Sequence, residues 1–516
     1  MAKSRLENVV RNSGATIVNR SGQILIRFVI RTLFIRVLGN EYTGISSLFT
    51  DILSVLSLVE MGLDASMIFS LYKPLAKKDV HHVAALINFY RFAFTAIGII
   101  VFLLGMGCVP FLHHIVKDVP NIKEDIRFIF IMYVVTSASS YFFIYKSVLI
   151  RADQRSSVIS NVTTVVDLLE CLAEVILILL FKRFFIYLVL HFAAVISRNL
   201  CLSYKAEKLY PEYLNNKTAK LSETDKASLI KNILALIVYN LAAVILNSTD
   251  SIFISAFVGT VQVAIVGNFT LITNSVKSCI KMVVDATRPS VGNLVATGTV
   301  DLQNVFFKRI NLITFWIACF CSNCLFVLLN PFIADIWFDE SYKVSMTIVA
   351  LIVVNFYISV MSYAIGTFRS SNGLFIQGWY RPAVMAILNI VLDFYLGRAW
   401  GIVGIYAATA IALLTTQVWY DPYIVYKYAF KRKPWGYYLD YVGKACIMLV
   451  CCTVSYLLIQ CIDIPNKFMS FVVSVLIAVT IPNATIVACF WRTDEFKYAM
   501  SIVIKIIGNF FRKRHA

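Results

Sequence analysis

Long apolar stretches, each closed by a short polar, Gly- or Pro-containing turn, follow one another along nearly the whole chain. Their spacing predicts fourteen helices, near 12–38, 42–71, 84–112, 125–149, 156–181, 184–206, 226–256, 261–295, 303–329, 344–368, 374–397, 402–429, 439–461 and 468–490. A bilayer core of roughly 30 Å is crossed by about 20 apolar residues in helical form. The pattern therefore reads as an all-α integral membrane protein, closed by an amphipathic stretch from Phe496 to Phe511 suited to the membrane surface.

The polar connections set the organisation. The longest, about Tyr204 to Lys226, follows the sixth helix and returns the chain to its starting side. A second lobe then begins with the same orientation as the first, a parallel repeat. A shift of 220 residues aligns Leu38-Gly39 with Val258-Gly259 and Phe49-Thr50 with Phe269-Thr270. The expected division is a six-helix lobe over 1–206, a cytoplasmic inter-lobe loop at 207–226, a second six-helix lobe over 227–430, and two further helices with a basic tail over 431–516.

Composition agrees: 59% of the 516 residues are hydrophobic and 15% charged, with a mean hydropathy of +0.76. No stretch is left for a soluble catalytic module, and the chain is not expected to be an enzyme. The net charge of +18 lies in short loops and helix ends, which suits an anionic cytoplasmic leaflet rather than nucleic acid. Lys and Arg stay on the cytoplasmic side. The loops holding Lys73, Lys77 and Lys78, then Lys146, Arg151 and Arg155, and the tail Arg512-Lys-Arg514 place both termini there. Lys182 and Arg183 go against that rule. The basic start, Met1 to Arg5, has no cleavage site after it, so the first helix is expected to be retained. The twelve cysteines lie mostly in apolar segments and read as small hydrophobes, and neither HExxH nor paired CxxC occurs, so no metal is expected.

Against this background, polar residues inside the helices stand out. Thr16, Arg20, Gln23, Arg27 and Arg31 recur at spacings of three and four, so they share one face of the first helix. A central Arg costs roughly 2.5–3.5 kcal/mol on insertion scales, so such residues face water or a partner. The eighth helix repeats the pattern with Thr270, Asn274, Lys277, Lys281, Asp285 and Arg288; the second carries Asp51, Ser54, Ser57, Glu60 and Asp64, and the seventh Asn240, Asn247 and Asp250. Two readings remain open. The stripes line one polar cavity, with Arg20, Arg27, Arg31, Lys277, Lys281, Asn247 and Asn274 binding substrate; or the cations pair with Asp51, Glu60, Asp64, Asp250 and Asp285 in structural bridges, Asp285 neutralising Lys281. A second group, Asp167, Glu170 and Glu174, shares a face of the fifth helix with Thr163. Carboxylates held in a membrane can take up H⁺ or Na⁺, so these three, with Asp51, Glu60 and Asp64, are candidates for ion coupling. The alternative is pairing with Lys or Arg of neighbouring helices.

The stretch from Arg27 through Lys78, centred on RTLFIRVLGNEYTGISSLFTDILSVLSLVEMGLDASMIFSLYKPLAKKD, resembles the N-terminal signature of polysaccharide flippases. These are the Wzx-type O-antigen and capsule repeat-unit transporters of the MOP exporter superfamily. Phe368 to Phe430, with Gly401-Ile-Val-Gly404 and Trp419-Tyr-Asp-Pro-Tyr423, is similar to a region late in their second lobe. The resemblance implies two six-helix lobes around a cavity lined by the first, second, seventh and eighth helices. It implies alternating access for an undecaprenyl-diphosphate-linked oligosaccharide, carried from the cytoplasmic to the outer leaflet of a bacterial inner membrane, with the cavity cations on the diphosphate. Other polysaccharide-assembly proteins would be partners, and no cofactor beyond a coupling ion is implied. The rivals are a drug or organic-cation exporter of the same superfamily, which would want an anionic or aromatic cavity, and a membrane polysaccharide polymerase or ligase, which would want large outer loops.

Overall fold

The computed structural model describes residues 22–501 except 23–25, 27, 58–62, 64–66, 69, 72–73, 76, 117–121, 154, 224, 228, 231–247, 286, 375–376 and 463–464. The described residues are helical throughout, with no strand among them. We label the long helices α1 (28–38), α2 (Asn40–Leu56), α3 (Val80–Cys108), α4 (Ile126–Ala152), α5 (Ser156–Phe181), α6 (Phe184–Leu209), α7 (248–257) and α8 (Thr260–Asp285). They continue as α9 (Val300–Pro331), α10 (Met346–Ser371), α11 (Arg381–Trp400), α12 (Ile402–Ile424), α13 (Trp435–Gln460) and α14 (Lys467–Phe490). Ten of the described helices are long and apolar enough to cross a membrane. The protein is an all-α membrane protein.

Short polar side chains start many of these helices. Asp79, Asp125, Thr299, Ser345 and Asn466 each accept a bond from a backbone N–H in the first turn of α3, α4, α9, α10 and α14. They satisfy donors that a helix leaves open at its N-terminus. Two boundaries differ from the hydropathy reading. The eleventh helix begins at Arg381 rather than near 374, because Gly373 and Gly378 take left-handed conformations (φ 68° and 73°) and Pro382 sits in the first turn. The predicted eighth helix is broken after Asp285 and resumes as Arg288–Thr297, with Pro289 in the new first turn.

The chain divides into two compact units, Met1–Ala264 and Ile265–Ala516. In the first, aromatic rings fix the packing: Phe49 of α2 meets Phe130 of α4 at 4.9 Å, and Phe34 of α1 meets Tyr187 of α6 at 4.5 Å between ring centres. Gly44 of α2 lies so close to the Thr260 carbonyl that a Cβ there would be 2.2 Å from the oxygen. The connection after α6 folds back on this unit. Asn88 of α3 donates to the carbonyls of Asn216 and Ala219, both at 3.0 Å, so the segment is tied down rather than a free loop.

In the second unit, Phe307 of α9 is surrounded by Phe368, Tyr426, Phe430 and Tyr437 at 5.2–6.0 Å. α14 docks on α9 partly through polar contacts: Trp316 donates to Asn483 at 2.8 Å and Asn323 to the Ala478 carbonyl at 3.0 Å. α11 and α12 form a hairpin turned by Gly401 (φ 57°). Gly404 permits it, since a Cβ there would lie 1.9 Å from the Leu396 carbonyl oxygen.

Candidate functional site

Arg31 of α1 is the one residue of the predicted Arg20–Arg27–Arg31 stripe that falls within the described residues; Arg20 and Arg27 lie outside them, as do Asn247, Glu60 and Asp64. The Arg31 guanidinium donates from Nη1 to Ser47 Oγ of α2 at 3.1 Å and from Nη2 to the Ala264 carbonyl at 2.8 Å. Both of these acceptors are neutral, and the bonds orient the guanidinium. Asp51, one turn further along α2 than Ser47, has Ser251 of α7 as a hydrogen-bond partner. On α8, Asn274 and Lys281 are exposed and Lys277 is half-buried. Asp285 pairs with Arg288 at 2.9 Å, three residues along the chain, rather than with Lys281.

The acidic face of α5 gives the most developed cluster. Outward from it point Leu168, Leu169, Leu172, Ile176 and Leu180, all exposed to the surroundings that a lipid bilayer would fill. Asp167, Glu170 and Glu174 consequently face inward, against α6. Lys182 ends α5 in a left-handed conformation (φ 51°), Arg183 is extended, and α6 begins at Phe184. This two-residue turn makes α5 and α6 antiparallel neighbours. Glu174 and His191 lie equally far on either side of it, and so do Asp167 and Arg198, seven residues further out.

The contacts follow this mirror relation. Arg198 Nη2 donates to Asp167 Oδ1 at 2.6 Å and to Glu170 Oε2 at 3.2 Å, while His191 Nδ1 is 2.8 Å from Glu170 Oε1. Glu174 is 2% exposed, and its Oε2 has no hydrogen-bond partner among the described residues. Donor atoms of Glu170, Glu174 and His191 all lie within 4.8 Å of one another. Tyr133 of α4 and Tyr187 of α6 lie within electrostatic range of the same carboxylate. Asp167 and Glu170 are paired with a basic neighbour, and Glu174 is not bonded to it. His191 and Arg198 were not among the predicted residues; their equal spacing about the Lys182–Arg183 turn is the signal that would have found them.

The second unit holds a counterpart. A shift of 219 residues carries Glu170 to Asn389 and Glu174 to Asp393, and His191 falls one residue from Thr409. Asn389 and Asp393 are fully buried. Asn389 Nδ2 donates to Asp393 Oδ1 at 3.4 Å and to Thr409 Oγ1 of α12 at 3.3 Å. Nearer the ends of these helices, Asp421 is buried between two arginines. Arg369 Nη1 donates to its Oδ1 at 2.6 Å, and Arg381 Nε lies 3.1 Å from the same atom. Arg369 also donates to the carbonyls of Leu374 and Gln377, closing the turn before α11.

These units belong to a known architecture. The chain superposes on the lipid II flippase MurJ with a TM-score of 0.68, at 12% identity, over 93% of this chain and 99% of that one. It superposes on a multidrug resistance MATE family transporter of the MOP superfamily with a TM-score of 0.58, at 14% identity, over 78% and 94%. A further MATE structure, in complex with MaL6, gives 0.52 at 14% identity over 81% and 95%. No protein-family profile and no curated protein matches the sequence. The fold is therefore that of the MOP-superfamily transporters. Within that architecture the likeness extends to both of its branches represented here, the lipid flippase and the multidrug exporters.

Proposed function

We propose that the protein is a flippase that moves a polyprenyl-diphosphate-linked oligosaccharide from the cytoplasmic to the outer leaflet by alternating access, for surface-polysaccharide assembly. The observation that carries this reading is the fold likeness to a lipid II flippase over 93% of the chain, joined to the basic residues that the sequence spaces along one face of its first predicted helix. Arg31 supports it because its bonds to Ser47 and the Ala264 carbonyl hold the guanidinium in place. A planar, pre-oriented guanidinium suits a diphosphate, which accepts two parallel hydrogen bonds. Arg20, Arg27, Lys277, Lys281, Asn247 and Asn274 complete the proposed head-group site, and no covalent chemistry is needed. The acidic cluster of α5 is the proposed site of ion coupling.

Multidrug export has one observation in its favour, the likeness to MATE transporters. The α5 acids give it little support, because Arg198 and His191 already face them.

The test replaces Arg27 and Arg31 by Ala and by Lys, then measures surface polysaccharide together with lipid-linked repeat unit on the inner leaflet. Losing a charge-assisted hydrogen bond worth about 1.5–3 kcal/mol predicts a roughly 10- to 100-fold loss of export for the Ala variants, with accumulation inside. Lys should recover part of it. Normal export at normal protein level would remove these residues from the site.

A further inference from the structure

Three acids, one guanidinium and one imidazole meet between α5 and α6, and their charges do not cancel as they stand. With Asp167, Glu170 and Glu174 ionised and Arg198 cationic, the cluster carries two negative charges when His191 is neutral. Burying uncompensated charge of that size is costly. A proton on the Glu174 carboxyl relieves part of that charge. We propose that Glu174 is the exchangeable proton site of this protein. The proposal rests on the ion-coupling part of the reading above and commits it to H⁺ rather than Na⁺.

Geometry favours the proton. At 2.8 Å, His191 Nδ1 and Glu170 Oε1 are joined by a hydrogen bond, so the space between them is bridged by a hydrogen rather than open to a metal ion. Na⁺, a hard cation, seeks oxygen ligands, and here one of the three converging donors is an imidazole nitrogen. The Arg198 guanidinium, 3.2 Å from the other oxygen of Glu170, repels a metal cation but not a proton already held in a covalent O–H bond. Glu174 supplies the free end. Its Oε2 is buried without a hydrogen-bond partner among the described residues.

Several charged or titratable groups among the described residues act on Glu174 or its partners. Asp167, Glu170 and Cys171 come from α5, Tyr187, His191 and Arg198 from α6, and Tyr133 from α4; Ser46 of α2 lies behind Tyr133. Tyr133 and Tyr187 are close enough to interact through their hydroxyls. This row of hydroxyls leads from Glu174 to Ser46, the neighbour of the Ser47 that holds Arg31. Proton uptake at Glu174 is thereby placed within reach of the helix pair that orients the proposed head-group cation.

Infrared difference spectroscopy on the purified full-length protein reads the proton directly, since only a protonated carboxyl shows the carboxylic C=O stretch. The wild type should show a pH-dependent band that is lost in Glu174→Gln, keeps its intensity but shifts in Glu174→Asp, and is unchanged by Na⁺ replacing K⁺. A band that survives Glu174→Gln, or one that Na⁺ displaces, overturns the proposal. Tyr133→Phe should shift the band of the wild type, because it removes a hydroxyl within electrostatic range of the carboxyl; an unmoved band would exclude Tyr133 from the site. Flux of a fluorescent polyprenyl-diphosphate sugar in proteoliposomes separates the two claims. No flux under any gradient with the Glu174 band present would refute the flippase reading alone, whereas flux driven by Na⁺ and indifferent to pH would refute the proton assignment alone.

Discussion

The α5–α6 and α11–α12 hairpins occupy corresponding places in the two units, yet they handle buried polarity differently. The first concentrates three acids, an arginine and a histidine along its length. The second has two buried acids set apart: Asp393, bonded to Asn389, which also bonds Thr409, lies mid-helix, and Asp421 pairs with Arg369 and Arg381 near the helix ends. The lesson is that one hairpin geometry can serve two purposes. Where a carboxylate is held by two arginines at a helix end it locks a turn; where one buried carboxylate has an oxygen left over, the same geometry offers the proton site proposed above.

The sharpest way to break the comparison is to remove the carboxylate shared by two buried arginines. Asp421→Ala should destabilise the second unit by about 3–5 kcal/mol, the cost of breaking a buried ion pair, read as a fall in the unfolding midpoint of the protein in detergent. Arg198→Ala in the first unit should cost less, about 2–3 kcal/mol, because its side chain and those of its partners are partly exposed. Asp167→Asn on that background should recover part of the loss in a double-mutant cycle. Converting the second hairpin toward the first by Asn389→Asp places two carboxylates side by side in a fully buried position. That change should cost about 1–3 kcal/mol at neutral pH and less in acid, where one of the pair takes up a proton. The smallest effect is expected for Thr409→Val, which removes one hydrogen bond at nearly constant volume, about 0.5–1.5 kcal/mol by the same assay.

Much of this architecture was legible in the sequence, for a simple physical reason: a bilayer demands long apolar helices, and hydropathy reads them directly. The starts of α5, α6 and α12 fall where hydropathy and turn signals placed them. Boundaries failed where backbone conformation overrode hydropathy, as in the Gly373 to Pro382 turn and the break before Pro289. Site residues were harder. The periodicity of Asp167, Glu170 and Glu174 gave their shared face, but a periodicity on one helix says nothing about the partner helix. His191 and Arg198 became visible only through the turn that folds α6 back on α5. The Asp421 cluster escaped for a related reason, because its members come from three helices that are far apart in sequence and each looks solitary there. Asp393, a lone acid in an apolar run, was likewise overlooked; it matches Glu174 at a shift of 219, one residue off the 220 that aligns the lobe starts.

The flippase reading itself is tested most directly by reconstitution. Protein in liposomes is given a fluorescent polyprenyl-diphosphate sugar in one leaflet, and its arrival in the other is followed by a membrane-impermeant quencher under an imposed pH gradient. The account predicts gradient-dependent transfer, reduced about tenfold or more in Arg31→Ala, the equivalent of roughly 1.4 kcal/mol or more of lost binding. Transfer of an organic cation in place of the diphosphate lipid, or transfer of the lipid that ignores both Arg31 and the gradient, would contradict it.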